Sequence, residues 1–123
     1  MQSIIQKKLY GSVRVYFLDR NLLKEKIHAI IPGLASENPE ISKVILFGSV
    51  AEGKALPSSD VDLLLIIDSS SERFIDRPDR YLPYFESIPL GVDCFVYTVE
   101  EINSGKHPVA ETVLRDGKVL YER

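Results

Sequence analysis

The sequence predicts a single α/β (or α+β) domain in which a mixed β-sheet is flanked by helices. Apolar runs typical of strands alternate along the chain with segments of helical periodicity, and this alternation indicates a sheet with helical cover. The chain has 123 residues, of which 45% are hydrophobic, and this is enough to bury one core. We therefore expect one domain over residues 1–123.

Composition and charge narrow the classes of partner. The formal net charge is −3, so no overall basic character attracts the chain to nucleic acid as its main partner. No apolar run approaches the roughly 20 residues needed to span a bilayer, and the N-terminus lacks the apolar core of a signal peptide. We expect no membrane partner and a cytoplasmic location. The single cysteine, Cys94, fits that compartment and is predicted to be a buried small hydrophobe.

The first part of the chain predicts an extended segment followed by a helix. Residues 1–10 are polar and mixed, and we expect them to be frayed. Ser12 to Leu18 is rich in β-branched and aromatic residues, which predicts a strand or an extended arm. Asp19 or Asn21 can cap the next helix, because a short side-chain oxygen accepts from the free N–H groups of the first turn. Pro32-Gly33 interrupts the helical pattern, so we expect a kink or an end there.

Three apolar segments supply the core strands of the predicted sheet. They are Val44 to Phe47, Asp60 to Ile67 and Val92 to Thr98. The Gly-Ser pair after the first of them leads into a predicted single helical turn over Val50 to Gly53. Residues 57–59 are predicted to be a loop.

The remaining segments are predicted to cover or extend the sheet. Phe74 to Ser87 has a helical stripe interrupted by prolines. Thr98 caps a short helix, and Glu101 completes a capping box. A last helix covers roughly Pro108 to Arg115, and Val119 to Tyr121 adds an edge strand.

Three arginines in the segment after the second core strand have two interpretations. Arg73, Arg77 and Arg80 would suit contact with an acidic partner or a phosphate, but we expect them to form a solvated helix face. Tyr81, Tyr84 and Phe85 in the same segment are predicted to lie in the core, with a docking surface for a partner helix as the alternative.

Two carboxylates mark the start of the second core strand. Asp60 and Asp62 are two residues apart on the predicted strand, so their side chains share a face. Like charges this close repel each other unless one is protonated or a cation lies between them. Hydrated Mg²⁺ is the natural cation, because it commonly uses one or two carboxylates together with substrate phosphates. Asp93, the second residue of the next predicted strand, is placed to supply a third carboxylate.

Gly48-Ser49 has the properties of a phosphate-binding turn. Glycine lets the backbone approach an anion closely, and Ser49 offers an N–H and a hydroxyl. A helical turn that begins at Val50 would add a favourable dipole. A Gly-Ser pair alone occurs in many turns, but here an Asp-x-Asp strand and a further Asp-bearing strand follow it in order.

The segment from about Val44 to Thr98 resembles the DNA polymerase β-like nucleotidyltransferase superfamily, in particular its minimal nucleotidyltransferase (MNT-type) branch. The matching residues are Gly48, Ser49, Gly53, Ser59, Asp60, Val61, Asp62 and Asp93. The resemblance implies the nucleotidyltransferase fold, a mixed sheet with flanking helices. It also implies transfer of a nucleoside monophosphate from a nucleoside triphosphate, most simply AMP from ATP, to a hydroxyl on an acceptor.

The resemblance assigns a role to each motif residue. Gly48 and Ser49 would bind the triphosphate. Asp60 and Asp62 would hold Mg²⁺ ions, and Asp93 would help to activate the attacking hydroxyl as a metal ligand or a base. Two metal ions stabilise the attacking and leaving oxygens of an in-line displacement.

Two positions depart from the pattern of relatives. Many relatives carry arginines inside the Gly-Ser-x-x-x-Gly segment, where this chain has Val50 and Glu52. A carboxylate beside the triphosphate disfavours binding unless Glu52 points away, and Lys54 is placed to compensate by reaching a phosphate. Ser59 is open to two interpretations, a contact with the nucleotide or a local bond to the backbone.

Larger relatives carry an added acceptor-binding domain, for which 123 residues leave no room. We therefore expect a separate macromolecular acceptor or a homo-oligomer. Small relatives often work beside a helical HEPN-type ribonuclease toxin, and some neutralise it by adding AMP, so an antitoxin role is the specific expectation. The alternative is a catalytically weak or inactive module of the same fold that binds nucleotide or protein, which Glu52 favours and the three aspartates oppose. A polymerase or tRNA end-adding enzyme is disfavoured by the acidic charge and small size.

Overall fold

The computed structural model describes residues 3–123, so Met1 and Gln2, part of the predicted frayed start, lie outside the described residues. Its elements in chain order are β1 (Ile5–Tyr10), β2 (Val13–Leu18), α1 (Arg20–Glu37), β3 (Ile41–Phe47), α2 (Gly48–Ala51), β4 (Val61–Ile67), two 3₁₀ helices (Phe74–Arg80 and Leu82–Phe85), β5 (Val92–Thr98), α3 (Val99–Asn103), α4 (Pro108–Asp116) and β6 (Lys118–Glu122). No helix within residues 3–123 combines the length and the apolar character needed to cross a bilayer.

The main sheet has four strands in the order β5-β4-β3-β6. Strand β3 is antiparallel to both β4 and β6, whereas β4 and β5 are parallel. The sheet is therefore mixed and has helical cover, and the predicted fold class is confirmed. The two parallel strands start together, because Val61 lies opposite Val92 and the Val61 N–H donates to the Gly91 carbonyl at 2.8 Å.

Both faces of the central strands are covered. Val44, Leu63 and Val96 belong to the larger apolar cluster, which also includes the buried residues of α1. On the other face, Ile45 and Leu64 pack in a smaller cluster with residues of α4. A strand buried on both sides needs apolar residues at successive positions, which explains the continuous runs in the sequence.

The N-terminal segment forms a separate two-stranded antiparallel hairpin, in which β1 pairs with β2. The strand predicted over Ser12 to Leu18 is confirmed as β2, but the expectation of fraying is wrong for Ile5–Tyr10. Gly11 turns the hairpin with a φ of 63°. The polar residues of β1 are compatible with a strand because most of this hairpin is exposed on both faces.

Helix α1 runs through Pro32-Gly33 and does not end there. Its predicted cap is confirmed, since the Asp19 side chain accepts a hydrogen bond from the Leu22 N–H at 3.0 Å. Proline removes one helical hydrogen bond, and the burial of Ile31 and Leu34 on either side of it helps to offset this cost.

Several predicted boundaries are wrong by a few residues. Strand β3 begins at Ile41 rather than Val44, and β4 begins at Val61 rather than Asp60. The helical turn of α2 begins at Gly48 itself. The region from Phe74 contains two 3₁₀ helices instead of one α-helical stripe. Its prolines have no backbone N–H to donate, which disfavours a continuous α-helix.

The C-terminal predictions are confirmed. Strand β5 has the predicted bounds, and Thr98 and Glu101 form the capping box of α3. Helix α4 ends at Gly117, where a Cβ would lie 2.7 Å from the Val113 carbonyl oxygen. Strand β6 then occupies the edge of the sheet beside β3.

Candidate active site

Asp62 and Asp93 are direct neighbours across the parallel pair of β4 and β5. Cross-strand partners point to the same face of a sheet, so the two carboxylates lie side by side near the starts of their strands. Asp62 is partly buried and Asp93 is exposed. Burial raises the pKa of Asp62 above its ordinary value, and the negative charges of Asp93 and Asp60 raise it further. This end of the sheet therefore has a surplus of negative charge that a cation would relieve.

Asp60 precedes β4 and is exposed. Its carboxylate packs so tightly against Gly91 that a Cβ at position 91 would collide with Asp60 Oδ1. The Val61 N–H bond to the Gly91 carbonyl holds the same two segments together. Gly91 thus positions Asp60, a role that sequence analysis missed because a glycine before a strand is usual in any loop.

Gly48 brings the Gly-Ser turn into contact with the carboxylates. It begins α2 with a φ of 76°, a conformation that favours glycine. A Cβ at this position would collide with Asp62 Oδ2. Phe47, the residue before it, is paired with Asp62 across β3 and β4. The predicted phosphate-binding turn and the predicted metal-binding strand are therefore adjacent.

Backbone hydrogen bonds close the turn after Gly48. The Glu52 N–H donates to the Gly48 carbonyl at 3.1 Å, and the Lys54 N–H donates to the Ser49 carbonyl at 2.9 Å. Gly53, with a φ of 73°, lets the chain leave the turn. Ser49 is partly buried and Lys54 is exposed.

Ser59 makes the local bond that was the alternative to a ligand contact. Its Oγ accepts a hydrogen bond from the Leu56 N–H at 2.8 Å, and its own N–H donates to the Leu56 carbonyl at 2.9 Å. These bonds hold the loop that leads to Asp60, so Ser59 has a structural role whether or not it also contacts a nucleotide.

The two positions that depart from relatives have different surroundings. Val50 is only 3% exposed and belongs to the core, so it does not face a ligand. Glu52 is exposed and lines a groove of about 290 Å³ together with Gly48, Thr112 and Asp116. A carboxylate therefore remains beside the turn.

Arg20 is a cation near this region that the sequence analysis missed. It begins α1, and its Nε donates to the carbonyl of Ala55 at 2.9 Å. Ala55 lies in the loop between the Gly-Ser turn and Asp60. The fold makes this contact across 35 residues of sequence, which no local pattern could have revealed.

The donor set suits a cation that is only partly held by protein. Within residues 3–123, no three His, Cys, Asp or Glu side chains already converge into a group that could hold a metal ion. Asp60, Asp62 and Asp93 are instead near neighbours at one end of the sheet. Such a set fits Mg²⁺, which usually retains water and takes further oxygen ligands from substrate phosphates.

A second hollow, of about 350 Å³, lies at the other end of β4. Its lining includes Ile67, Tyr81 and Arg77. The prediction of a solvated side chain is wrong for Arg77, which is 8% exposed and forms an ion pair with Glu101 at 2.6 Å. This hollow is remote from the three aspartates and is not part of their site.

Comparison with known proteins identifies relatives of this chain. Residues 25–123 match the family described as polymerase beta, nucleotidyltransferase. A Methanocaldococcus jannaschii protein named as a candidate protein adenylyltransferase is 31% identical over 104 residues, which span 84% of this chain and 98% of that protein. A bifunctional uridylyltransferase/uridylyl-removing enzyme of Pseudomonas entomophila is 32% identical over 89 residues, which span 72% of this chain but 9% of that enzyme.

Solved structures show the same fold. A candidate nucleotidyltransferase from Sulfolobus solfataricus superposes with a TM-score of 0.61 at 23% identity, over 85% of this chain and 84% of that one. A toxin–antitoxin structure with AMP-PNP gives a TM-score of 0.60 at 22% identity, over 78% of this chain and 73% of that one. At these identities the likeness concerns the fold alone.

Proposed function

The chain belongs to the polymerase beta nucleotidyltransferase family and is a nucleotidyltransferase, and on this premise we propose that it transfers AMP from ATP to a hydroxyl on a macromolecular acceptor, with Mg²⁺ as cofactor. The observation that carries the proposal is the packing of the Asp62 carboxylate against Gly48, beside Asp93. This packing puts a turn able to hold phosphate next to carboxylates able to hold a cation.

Each residue has a defined part in this proposal. Asp60, Asp62 and Asp93 would hold Mg²⁺, which would neutralise charge on the attacking hydroxyl oxygen and on the pyrophosphate that leaves when the bond between the α- and β-phosphates breaks. Ser49 offers its N–H and hydroxyl to the triphosphate, while Gly48 lets the backbone come close to it. Asp93, exposed at the edge of the group, is the carboxylate best placed to meet an acceptor hydroxyl and to accept its proton.

The choice of ATP and of a protein acceptor is supported by relatives. The Methanocaldococcus jannaschii relative is named as a candidate protein adenylyltransferase. The toxin–antitoxin structure of the same fold was solved with AMP-PNP. We propose a small helical HEPN-type toxin in the cytoplasm as the acceptor, which makes this chain an antitoxin. A homo-oligomer that grips another acceptor is the second arrangement.

Nucleotide binding is tested by thermal unfolding with ATP, GTP, CTP and UTP, with and without Mg²⁺, in the wild type and in Asp62→Asn. A ligand at about 100 times its Kd stabilises the fold by about 2.7 kcal/mol, equal to several degrees for a domain of this size. We expect a Mg²⁺-dependent shift, largest with ATP, that Asp62→Asn abolishes. A shift that is unchanged in the mutant would rule out this site.

A catalytically inactive binding module is the second candidate, and the exposed Glu52 beside Gly48 favours it. A negative charge there opposes a bound triphosphate. The two candidates are separated by Glu52→Arg together with transfer of label from [α-³²P]ATP to protein. An active enzyme labels an acceptor before the change and labels it faster afterwards, whereas an inactive module binds Mg²⁺·ATP but labels nothing in either form.

A further inference from the structure

The β1–β2 hairpin exposes more large apolar side chains than its size would suggest. Their exposed fractions are 60% for Leu9, 57% for Tyr10, 58% for Val13, 40% for Val15, 56% for Tyr16 and 41% for Phe17. By the register of the pair, Tyr10, Val13, Val15 and Phe17 lie on one face of the hairpin with Lys8, and Leu9 and Tyr16 lie on the other face with Lys7 and Arg14. The four apolar side chains of the first face form an exposed group that marks an interaction surface. An isolated two-stranded hairpin is also marginally stable in water, so an external contact would stabilise it.

The hairpin is fixed to the core at its base, and its residues from Lys7 to Phe17 are exposed. Ile4 and Leu18 are buried in the main core, and the Asp19 N–H donates to the Ile4 carbonyl at 2.7 Å. Residues 5–18 also precede the segment, 25–123, that matches the nucleotidyltransferase family. The hairpin is therefore anchored to the core but lies outside the residues that match the family, and its exposed surface does not serve the core.

The charge of the hairpin is opposite to that of the rest of the chain. Its charged side chains are Lys7, Lys8 and Arg14, while the residues after it hold all 18 acidic side chains and 12 of the 15 basic ones. Lys8 also lies over the Tyr10 ring, with its Nζ 5.5 Å from the centroid. The surface thus combines apolar groups with positive charge and suits a partner that is apolar and acidic.

The hairpin rises from the end of the molecule that holds the candidate active site. Helix α1 starts directly after β2, and its first residue, Arg20, donates to Ala55 in the loop that leads to Asp60. The base of the hairpin therefore adjoins the loop that leads to Asp60.

We propose that the β1–β2 hairpin is the docking arm for the protein acceptor, and that the acceptor presents an acidic surface with apolar groups. This inference rests on the proposed function. Covering the exposed parts of Tyr10, Val13, Val15 and Phe17 on one face would remove about 350 Å² from water, nearly half of the about 800 Å² per partner in a typical specific interface.

A protein fits the hairpin better than nucleic acid does. Of the four apolar side chains on the first face, Tyr10 and Phe17 offer stacking surfaces to bases, whereas Val13 and Val15 are aliphatic and offer none. The acidic remainder of the chain would also repel a phosphate backbone that extends beyond the hairpin. Aliphatic side chains beside cations suit a protein surface that combines apolar groups with carboxylates.

The test measures the transfer of label from [α-³²P]ATP to protein in the presence of Mg²⁺. The full chain is incubated with a lysate of the cells from which it comes, after membranes have been removed from the lysate. The charge variant is Lys7→Glu with Lys8→Glu, and the apolar variant is Val13→Ser with Val15→Ser, two exposed positions on the same face of the hairpin. Lys106→Glu, an exposed lysine elsewhere, is the matched charge control. We expect both hairpin variants to label protein about tenfold less than wild type, as loss of central contacts does in other interfaces. Lys106→Glu should label normally, and all forms should keep the Mg²⁺·ATP thermal shift.

Each other outcome overturns the inference in a recognisable way. Equal labelling in the hairpin variants means that the acceptor does not dock there. Label removed by nuclease but not by protease assigns the surface to nucleic acid, and label found only on this chain assigns it to a second copy. Absence of both the thermal shift and any label in the wild type refutes the proposed function itself, and the docking arm with it.

Discussion

The carboxylate of Asp62 occupies the space in which a side chain at position 48 would begin. Gly48 is therefore constrained twice, by its φ of 76° and by its contact with Asp62. The turn proposed to hold phosphate and the strand proposed to hold Mg²⁺ cannot change independently. This coupling leads to the first prediction.

Gly48→Ala should destabilise the fold and remove Mg²⁺·ATP binding, because the new methyl group must displace Asp62. Gly53→Ala is the matched control, since Gly53 has a similar φ of 73° but has open space where a Cβ would lie. The left-handed conformation costs each alanine about 1–2 kcal/mol, and Gly48→Ala should lose more than Gly53→Ala. Denaturant unfolding and the thermal shift with Mg²⁺·ATP measure the two effects. Equal results for both variants would contradict the coupling.

Gly91→Ala should weaken Mg²⁺-dependent nucleotide binding by moving Asp60, whose carboxylate lies where the methyl group would be. The exposed Asp60 side chain can rotate away, so the loss of stability should stay below about 1 kcal/mol. Gly33→Ala, in α1 with no atom within 4 Å of its Cβ position, should bind normally and gain up to about 1 kcal/mol. Measuring nucleotide binding at a fixed ATP concentration while Mg²⁺ is titrated distinguishes Gly91→Ala from Gly33→Ala. Normal Mg²⁺ dependence in Gly91→Ala would remove Asp60 from the site.

Glu101→Gln should lower the free energy of unfolding at neutral pH. It should also make that free energy depend less on pH in the acidic range. The hydrogen-bonded ion pair with Arg77 holds the pKa of Glu101 below its ordinary value of 4.5. A lowered folded-state pKa gives stability that is present above the unfolded pKa and is lost as the pH falls through the folded pKa. Because Arg77 is buried, we expect a loss of about 1–2 kcal/mol near pH 7.

Denaturant unfolding at several pH values below 7 measures this effect. Asp76→Asn, which removes the exposed ion pair with Arg73, is the control and should cost less than about 0.5 kcal/mol. If the free energy of unfolding falls as steeply with acid in Glu101→Gln as in the wild type, the ion pair between Glu101 and Arg77 is not the source of this pH dependence.

Cys94 should be unreactive in the folded protein. It is 7% exposed, and burial raises its pKa to about 12, so little thiolate exists at pH 8. We expect a disulfide reagent such as DTNB to react slowly with native protein and with one equivalent of thiol after unfolding. Fast reaction of the native protein would contradict this prediction. It would show that β5, which also carries Asp93 of the candidate site, opens to solvent.

Local sequence patterns predicted the features that depend on a few neighbouring residues. The apolar runs of β4 and β5, the Asp19 cap and the Thr98–Glu101 capping box follow from spacing and side-chain chemistry alone. The motif residues were predicted as a set from their spacing together with the resemblance to a known family, and the family match to residues 25–123 agrees with that resemblance. Roles in metal and nucleotide binding remain predictions for all of them.

Other features were decided only by the tertiary structure. Residues 5–10 form a strand because β2 pairs with them, although their own sequence is polar and mixed. Arg77 is buried because Glu101 lies 24 residues away in sequence but 2.6 Å away in space. The roles of Gly91 and Gly48 depend on which carboxylate packs against each of them. The sequence by itself predicted the groups of the candidate site and determined which segments form its core strands, because propensity and periodicity act over a few residues. Only the tertiary structure decided which groups touch, because those contacts join segments that are distant along the chain.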